Sequence, residues 1–187
     1  QILDKPGQEV FKDLEIAVTQ PLRYVSRGGE KLAEAFNQFP LDIKNRVCLD
    51  AGISTGGFTD CLLQLGAAKV YGVDVGYGQT AWSLRTDSRV VLKERTNIRN
   101  LTHEILYGPN DPWPDFLVAD LSFISLRLVL PAMTALLKEG DRNALLLIKP
   151  QFEVGREKVG KGGVVRNVDS HIEALTGVIN SSIDQGW

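Results

Sequence analysis

The sequence predicts an α/β fold with a doubly wound, mostly parallel sheet, and three observations carry that expectation. Apolar runs at residues 47–49, 70–73, 90–92, 116–119 and 144–148 do not alternate with polar residues, as befits strands covered on both faces. Segments of helical periodicity separate these runs, which gives repeated strand–helix units. Polar residues suited to chemistry, Asp50, Asp74, Asn97, Asp120 and Lys149, fall at or just after the ends of the runs. Open α/β sheets bind their ligands there, beyond the carboxyl ends of the strands.

The elements read as follows. Lys5-Pro6-Gly7 signals a turn, and Leu14, Ile16 and Val18 alternate as a short strand would. Ser26-Arg27-Gly28-Gly29 precedes a helical pattern with Leu32, Ala35, Phe36 and Phe39 on one face, ended by Pro40. An amphipathic helix over 58–65 is closed by Gly66. Short helical turns are expected at 81–85 and 101–106. A longer helix is expected over 125–138, with Pro131 able to kink it. Residues 151–167 read as a basic, glycine-rich loop, followed by a final helix over 170–183. Gly155, Gly160, Gly162 and Gly163 make that loop unfavourable to order, so it is expected to be mobile.

Composition narrows the function classes. A chain of 187 residues with 43% hydrophobic and 24% charged residues can bury the core of one α/β domain. The longest apolar run, 144–148, is far too short to cross a bilayer, and no signal-peptide pattern opens the sequence. Cys48 and Cys61 lie in apolar stretches without metal-ligand spacing, which reads as buried reduced thiols in a cytoplasmic protein. His103 and His171 are far apart, and no metal site is expected. A net charge of −2 argues against binding nucleic acid through bulk charge. The distribution is more informative: Arg23, Arg27 and Lys31 cluster early, and Lys149, Arg156, Lys158, Lys161 and Arg166 cluster late. Such patches can face a phosphate backbone or be solvated loop charge.

The most informative stretch is Asp50-Ala51-Gly52-Ile53-Ser54-Thr55-Gly56-Gly57-Phe58. A strand ends in an acid, and a glycine-rich turn leads into a helix. Glycines allow close approach of backbone to ligand. The helix start offers free N–H groups and a positive dipole end for a carboxylate. The spacing is neither the nicotinamide fingerprint nor a phosphate loop. An acid at the strand end suits an ammonium or sulfonium group, so the loop is expected to bind S-adenosylmethionine through Asp50, Gly52, Ser54, Thr55, Gly56, Gly57 and Phe58. Asp74 can accept both ribose hydroxyls, and Asn97 can meet the adenine edge.

Asp120 and Lys149 end neighbouring strands, which places them together beside the cofactor's methyl group, with Lys31 on the helix before the first strand. A hydroxyl that attacks a methyl carbon must lose its proton. A charged lysine cannot take that proton and a neutral one can; burial or a second cation favours the neutral amine, while Asp120 would orient the amine and oppose the shift. The plain alternative is a structural salt bridge between Lys149 and Asp120.

Five stretches together resemble the hemolysin A (TlyA) family, related to the FtsJ-type ribose 2′-O-methyltransferases of RNA. They are Ser26-Arg27-Gly28-Gly29-x-Lys31-Leu32, Asp50-Ala51-Gly52-x-Ser54-Thr55-Gly56-Gly57-Phe58-Thr59, Asp74-Val75-Gly76-Tyr77-Gly78-Gln79, Asp120-Leu121-Ser122-Phe123-Ile124-Ser125 and Lys149-Pro150-Gln151-Phe152-Glu153. The resemblance implies a Rossmann-like class I methyltransferase fold that transfers a methyl group from S-adenosylmethionine to ribosomal RNA. It also implies a Lys-Asp-Lys-Glu catalytic set, of which Lys31, Asp120 and Lys149 match three. The Glu and the last strands of the usual seven-stranded sheet have no counterpart before Trp187. Residues 1–22 resemble the tail of an S4-type RNA-binding domain and its linker, and 23–187 the methyltransferase domain. Arg23, Arg27, Arg156, Lys158 and Lys161 are the expected RNA contacts, with ribosomal RNA or a ribosomal subunit as partner and no membrane. Phe123 and Phe152 could stack on a base but read first as core residues, as do Trp82 and Trp113. Three alternative functions remain: a small-molecule methyltransferase, a non-catalytic RNA-binding module and a membrane lysin.

Overall fold

A computed structural model describes residues 9–15 and 22–187. The turn at Lys5-Pro6-Gly7 and the strand residues Ile16 and Val18 lie outside the described residues. Leu14 is not in a strand: its N–H donates to the Phe11 carbonyl at 3.0 Å in a turn.

Five strands form one parallel sheet: β1 (Val47–Ala51), β2 (Lys69–Val73), β3 (Val90–Lys93), β4 (Phe116–Ala119) and β5 (Asn143–Leu146), in the order β3-β2-β1-β4-β5. The helices are α1 (Arg27–Gln38), α2 (Gly57–Gln64), α3 (Trp82–Arg85), α4 (His103–Leu106), α5 (Leu126–Ala135), α6 (Pro150–Glu153) and α7 (Val168–Asp184). The chain runs outward from β1 to β3 and then returns to place β4 beside β1. That reversal is the switch point at which open α/β sheets hold ligands.

Because side chains alternate across a strand, each buried strand serves two cores. Leu49, Tyr71, Val73, Leu117 and Ala119 face α5 residues Val129, Leu130 and Met133 and α7 residue Val178. Cys48, Val70, Phe116 and Val118 face Leu32 of α1 and Phe58, Cys61 and Leu62 of α2. Cys48 and Cys61 are both free and buried, and burial pushes the Cys48 thiol up to about 12. Among the described residues, no helix is long and apolar enough to cross a membrane.

Several boundaries differ from those the sequence predicts. The helix expected over 125–138 is α5, started by the Ser125 hydroxyl, which accepts from the Arg127 N–H at 3.2 Å. The turn expected at 101–106 is α4, and a separate 3-10 turn at Ile98–Asn100 precedes it. The stretch 151–167 is more structured than a plain loop. It contains most of α6 and 3-10 turns at Arg156–Lys158 and Lys161–Gly163. Lys158 pairs with Glu173 of α7, and the His171 ring contacts the Val165 carbonyl at 2.8 Å. Trp82 and Phe123 are exposed rather than packed in the core, and Phe152 is half-buried.

Candidate active site

A cavity of about 1140 Å³ opens at the carboxyl ends of the strands. Its floor is the loop that leaves β1. Gly52 has φ +87°, and a Cβ there would lie 3.0 Å from the Leu121 side chain and 3.2 Å from the Asp120 carbonyl oxygen. Only glycine lets the loop turn this close to the end of β4. The turn continues through Ser54 (φ +49°) and Gly56 (φ +97°), and α2 begins with no side chain capping its N-terminus. Asp74, at the end of β2, braces the loop: its Oδ2 accepts from the Ser54 N–H at 2.8 Å and its Oδ1 from the Gly76 N–H at 2.6 Å.

Gly52, Ser54, Thr55, Gly57, Phe58, Asp74, Asn97 and Asp120 all line this cavity, as the sequence predicts for cofactor-binding residues. The Asn97 carbonyl oxygen accepts from the Arg99 N–H at 3.1 Å, and its amide NH₂ has no partner among the described residues. The cradle is therefore built of backbone turns and small side chains at a switch point, with carboxylates on one side and an uncapped helix start on the other. These features fit the charged amino-acid end and the ribose of S-adenosylmethionine.

Two residues assigned to the cofactor from sequence do not line the cavity. Gly56 supplies the left-handed turn into α2 and packs against Leu84. Asp50 is fully buried, and its Oδ2 accepts from the Thr59 hydroxyl at 2.7 Å. Its Oδ1 has no hydrogen-bond partner among the described residues. Asp50 therefore holds the strand end to α2. Burial pushes its carboxyl up to about 7; the Thr59 bonds work against that shift, and the nearby Asp120 and Asp74 charges add to it.

That shift makes a stability statement. A carboxyl with a folded-state pKa raised to about 7 binds its proton more tightly when folded. Its contribution is fully present below the unfolded value near 4 and is lost as pH rises through about 7. Asp50→Asn, which cannot ionise, is expected to gain stability relative to the unmodified protein between pH 5 and pH 8, by a difference on the order of a few kcal/mol. Thermal melts of both proteins at the two pH values check this. Parallel pH dependences would show that Asp50 ionises as freely as an exposed carboxylate.

The chemical residues converge on Asp120. Lys149 Nζ lies 2.6 Å from Asp120 Oδ1, and Lys31 Nζ lies 3.4 Å from Asp120 Oδ2. The Lys149 contact is an ion pair without hydrogen-bond geometry; the ammonium donates to the Ser122 hydroxyl at 2.8 Å. Lys31, Asp120, Ser122 and Lys149 all line the cavity. Register explains the meeting: Ala119 pairs with Leu146, so the residues just after β4 and β5 emerge side by side. Ser122 was missed in the sequence, although a hydroxyl two residues past Asp120 is the signal that marks it. Gln79 was also missed; it lines the cavity and accepts from the Ser54 hydroxyl at 3.3 Å.

Of the cationic residues assigned to RNA, Arg27 lines the cavity. Arg23, Arg156, Lys158 and Lys161 do not. Arg23 stacks over the Tyr24 ring at 5.0 Å. Phe123 stands at the cavity rim, 91% exposed, with φ +66°.

Comparison with known proteins agrees with this architecture. The chain is 48% identical over 174 residues to the 16S/23S rRNA (cytidine-2'-O)-methyltransferase TlyA of Mycobacterium tuberculosis, covering 93% of this chain and 63% of that protein. It is 44% identical to hemolysin A of Brachyspira hyodysenteriae, covering 95% of this chain and 72% of that one. A crystal structure of a Lactococcus lactis protein described as a hemolysin superposes with a TM-score of 0.82 at 45% identity, over 89% of this chain and 77% of that one. The model of the FtsJ-like methyltransferases matches residues 24–187, from just before α1 to the last residue. With the five sequence stretches gathered at one switch-point cavity, and with that match across nearly its whole length, the chain belongs to the FtsJ-like methyltransferase family.

Proposed function

We propose that the protein transfers a methyl group from S-adenosylmethionine to a ribose 2′-hydroxyl of ribosomal RNA, in the cytoplasm. The observation that carries this reading is the Lys31–Asp120–Lys149 cluster in the same cavity as the glycine-rich cradle. The activity in the name of the M. tuberculosis relative supports it.

S-adenosylmethionine supplies an electrophilic methyl group when bound. Ser54, Thr55, Gly57 and the start of α2 would hold its amino-acid end, Asp74 its ribose and Asn97 its base. Two ammonium groups flank one carboxylate at the reacting centre. Lys149 in its neutral form would take the hydroxyl proton as the oxygen bonds to the methyl carbon and that carbon's bond to sulfur breaks, the electron pair staying on the sulfur. Asp120 keeps the amine in place, and Lys31 remains a cation that stabilises charge on the attacking oxygen.

The cavity, about 1140 Å³, is larger than the roughly 300–1,000 Å³ typical of small-ligand sites, which leaves room for an acceptor nucleotide beside the cofactor. Arg23, Arg27, Arg156, Lys158 and Lys161 would contact phosphates. Residues 1–22 would be the tail and linker of an S4-type RNA-binding domain, and 23–187 the methyltransferase domain.

Phe123 fits a platform for an unstacked base. A phenylalanine at positive φ costs about 1–2 kcal/mol, and this one is exposed, so its own packing does not explain it. Among the described aromatic residues it contacts only the Phe152 ring, at 5.4 Å. Phe123→Gly relieves the backbone and loses that contact, effects of similar size. The melting temperature is expected to stay near that of the unmodified protein. Base stacking of about 1–3 kcal/mol implies roughly a 5- to 150-fold loss in kcat/KM for RNA with cofactor affinity unchanged. Unaltered kcat/KM would remove Phe123 from the RNA site.

The overall reading is tested with labelled S-adenosylmethionine, purified ribosomal subunits and a pool of small hydroxylated metabolites. Label is expected in RNA. Label confined to small molecules would favour the small-molecule reading, and cofactor binding without transfer to either would favour a non-catalytic module.

A further inference from the structure

We infer that Glu153 is a positioning residue that fixes the Asp120–Lys149 geometry; the inference rests on the methyl-transfer reading of that pair. Glu153 lies four residues after Lys149, in α6, and its side chain is only 1% exposed. Its Oε1 accepts from the Leu126 N–H at 2.7 Å and its Oε2 from the Ser125 hydroxyl at 2.6 Å. The Arg127 guanidinium lies 3.4 Å from Oε2 and donates to the Glu153 carbonyl oxygen at 2.6 Å. Leu126 begins α5, the helix that follows the loop from Asp120.

The two loops that carry the reacting groups are therefore joined at both ends. On the sheet side, the Leu147 N–H donates to the Ala119 carbonyl at 2.9 Å. On the far side, Glu153 clamps the end of the Asp120 loop to the end of the Lys149 loop. Lys149 closes the ring through Asp120 and Ser122. Between these anchors the Asp120 loop passes through Phe123 in a left-handed conformation, which does not hold itself without outside restraint.

A helix cap alone does not account for the arrangement. Ser125 already caps α5 from the adjacent position, accepting from Arg127 N–H. Glu153 reaches the same helix start from 27 residues away and buries a carboxylate to do so. An interior carboxylate is unfavourable unless it is paired and fully hydrogen-bonded. Here the Leu126 N–H, the Ser125 hydroxyl, the Arg127 guanidinium and the positive end of α5 meet that need. The result is a rigid join where methyl transfer needs reacting atoms held to a fraction of an ångström.

The test is Glu153→Gln, alone and combined with Lys149→Ala. Glutamine keeps the size and can still accept from the Leu126 N–H, so the fold is expected to persist. The single-turnover rate is expected to fall tenfold or more, with the dissociation constant for S-adenosylmethionine unchanged. In the Lys149→Ala background, Glu153→Gln is expected to add no further loss, because it acts through a group already removed. Glu153→Asp, too short to reach both donors, should not restore the rate. In a crystal structure of the Glu153→Gln protein, the Lys149–Asp120 contact, now 2.6 Å, is expected to open past about 4 Å. A wild-type rate in Glu153→Gln, or an additive loss in the double variant, overturns the inference. If the unmodified protein transfers no methyl group to RNA, the functional reading fails and the separation alone decides: an unchanged contact overturns the positioning role and an opened one supports it. Should Glu153→Gln not fold, Ser125→Ala removes the 2.6 Å contact, together with the Ser125 cap on the Arg127 N–H, and carries the same readouts.

Discussion

Lys149→Ala is expected to lower the rate of methyl transfer by about 10²- to 10⁴-fold, the range that a positioned general base supplies. S-adenosylmethionine should bind as before, because the cradle is formed by the β1–α2 loop and Asp74, and Lys149 contacts neither among the described residues. Lys149 is held by Asp120 at 2.6 Å and Ser122 at 2.8 Å, so its removal leaves Asp120 with Lys31 alone, 3.4 Å away. Lys149→Arg separates charge from proton transfer. Arginine keeps the positive charge but stays protonated and cannot accept the hydroxyl proton. It should therefore be nearly as slow as Lys149→Ala. Rapid-quench single-turnover assays with calorimetric cofactor titrations check both variants. A fast Lys149→Arg protein would mean that Lys149 acts as an electrostatic group and that the proton leaves by another route.

The second large effect is structural. A Cβ on Gly57 would lie 2.3 Å from the Ser26 hydroxyl oxygen, 2.7 Å from the Gly29 backbone nitrogen and 3.1 Å from Gly28 Cα. The last two are backbone atoms of the first turn of α1 and cannot swing aside. The starts of α1 and α2 touch backbone to backbone. One helix carries Lys31 and the other begins at the cofactor cradle. Gly57→Ala must push them apart, which draws Lys31 away from Asp120 and opens the cradle. Overpacking of this kind costs about 1–3 kcal/mol, or roughly 2–12 °C of melting temperature in a domain of this size class. Loss of cofactor affinity by at least tenfold is expected alongside it. Gly28→Ala is the control, since its Cβ would meet neighbours at 3.4–3.6 Å. Equal effects from the two substitutions would show that the collision is relieved elsewhere.

Much of this site was legible in the sequence because its chemistry sits at strand ends. Buried parallel strands announce themselves as unalternating apolar runs, so the sequence alone places Asp74, Asp120 and Lys149 at the carboxyl ends of the strands. What sequence could not settle was which way a side chain turns there. Asp50 closes one buried strand and Asp74 follows another, yet Asp74 lines the cavity while Asp50 turns under the loop to Thr59. Aromatic residues posed the opposite difficulty. Trp82 and Phe123 read first as core residues in the sequence, with base stacking open for Phe123, and both are exposed. Glu153 was visible within a motif, but its partners lie 26 to 28 residues away and meet it only when β4 and β5 pair. The order within 151–167 was hidden for a similar reason. Its turns depend on contacts with α7, such as Lys158 with Glu173, which local glycine content does not reveal.

The most direct measurement concerns where the methyl group goes. RNA labelled by the purified protein would be hydrolysed completely in alkali, which cleaves only where a ribose 2′-hydroxyl is free. Label is expected in alkali-resistant dinucleotides, because a methylated 2′-oxygen cannot attack the neighbouring phosphate. Label recovered in single nucleotides would place the methyl group on a base and contradict transfer to the ribose.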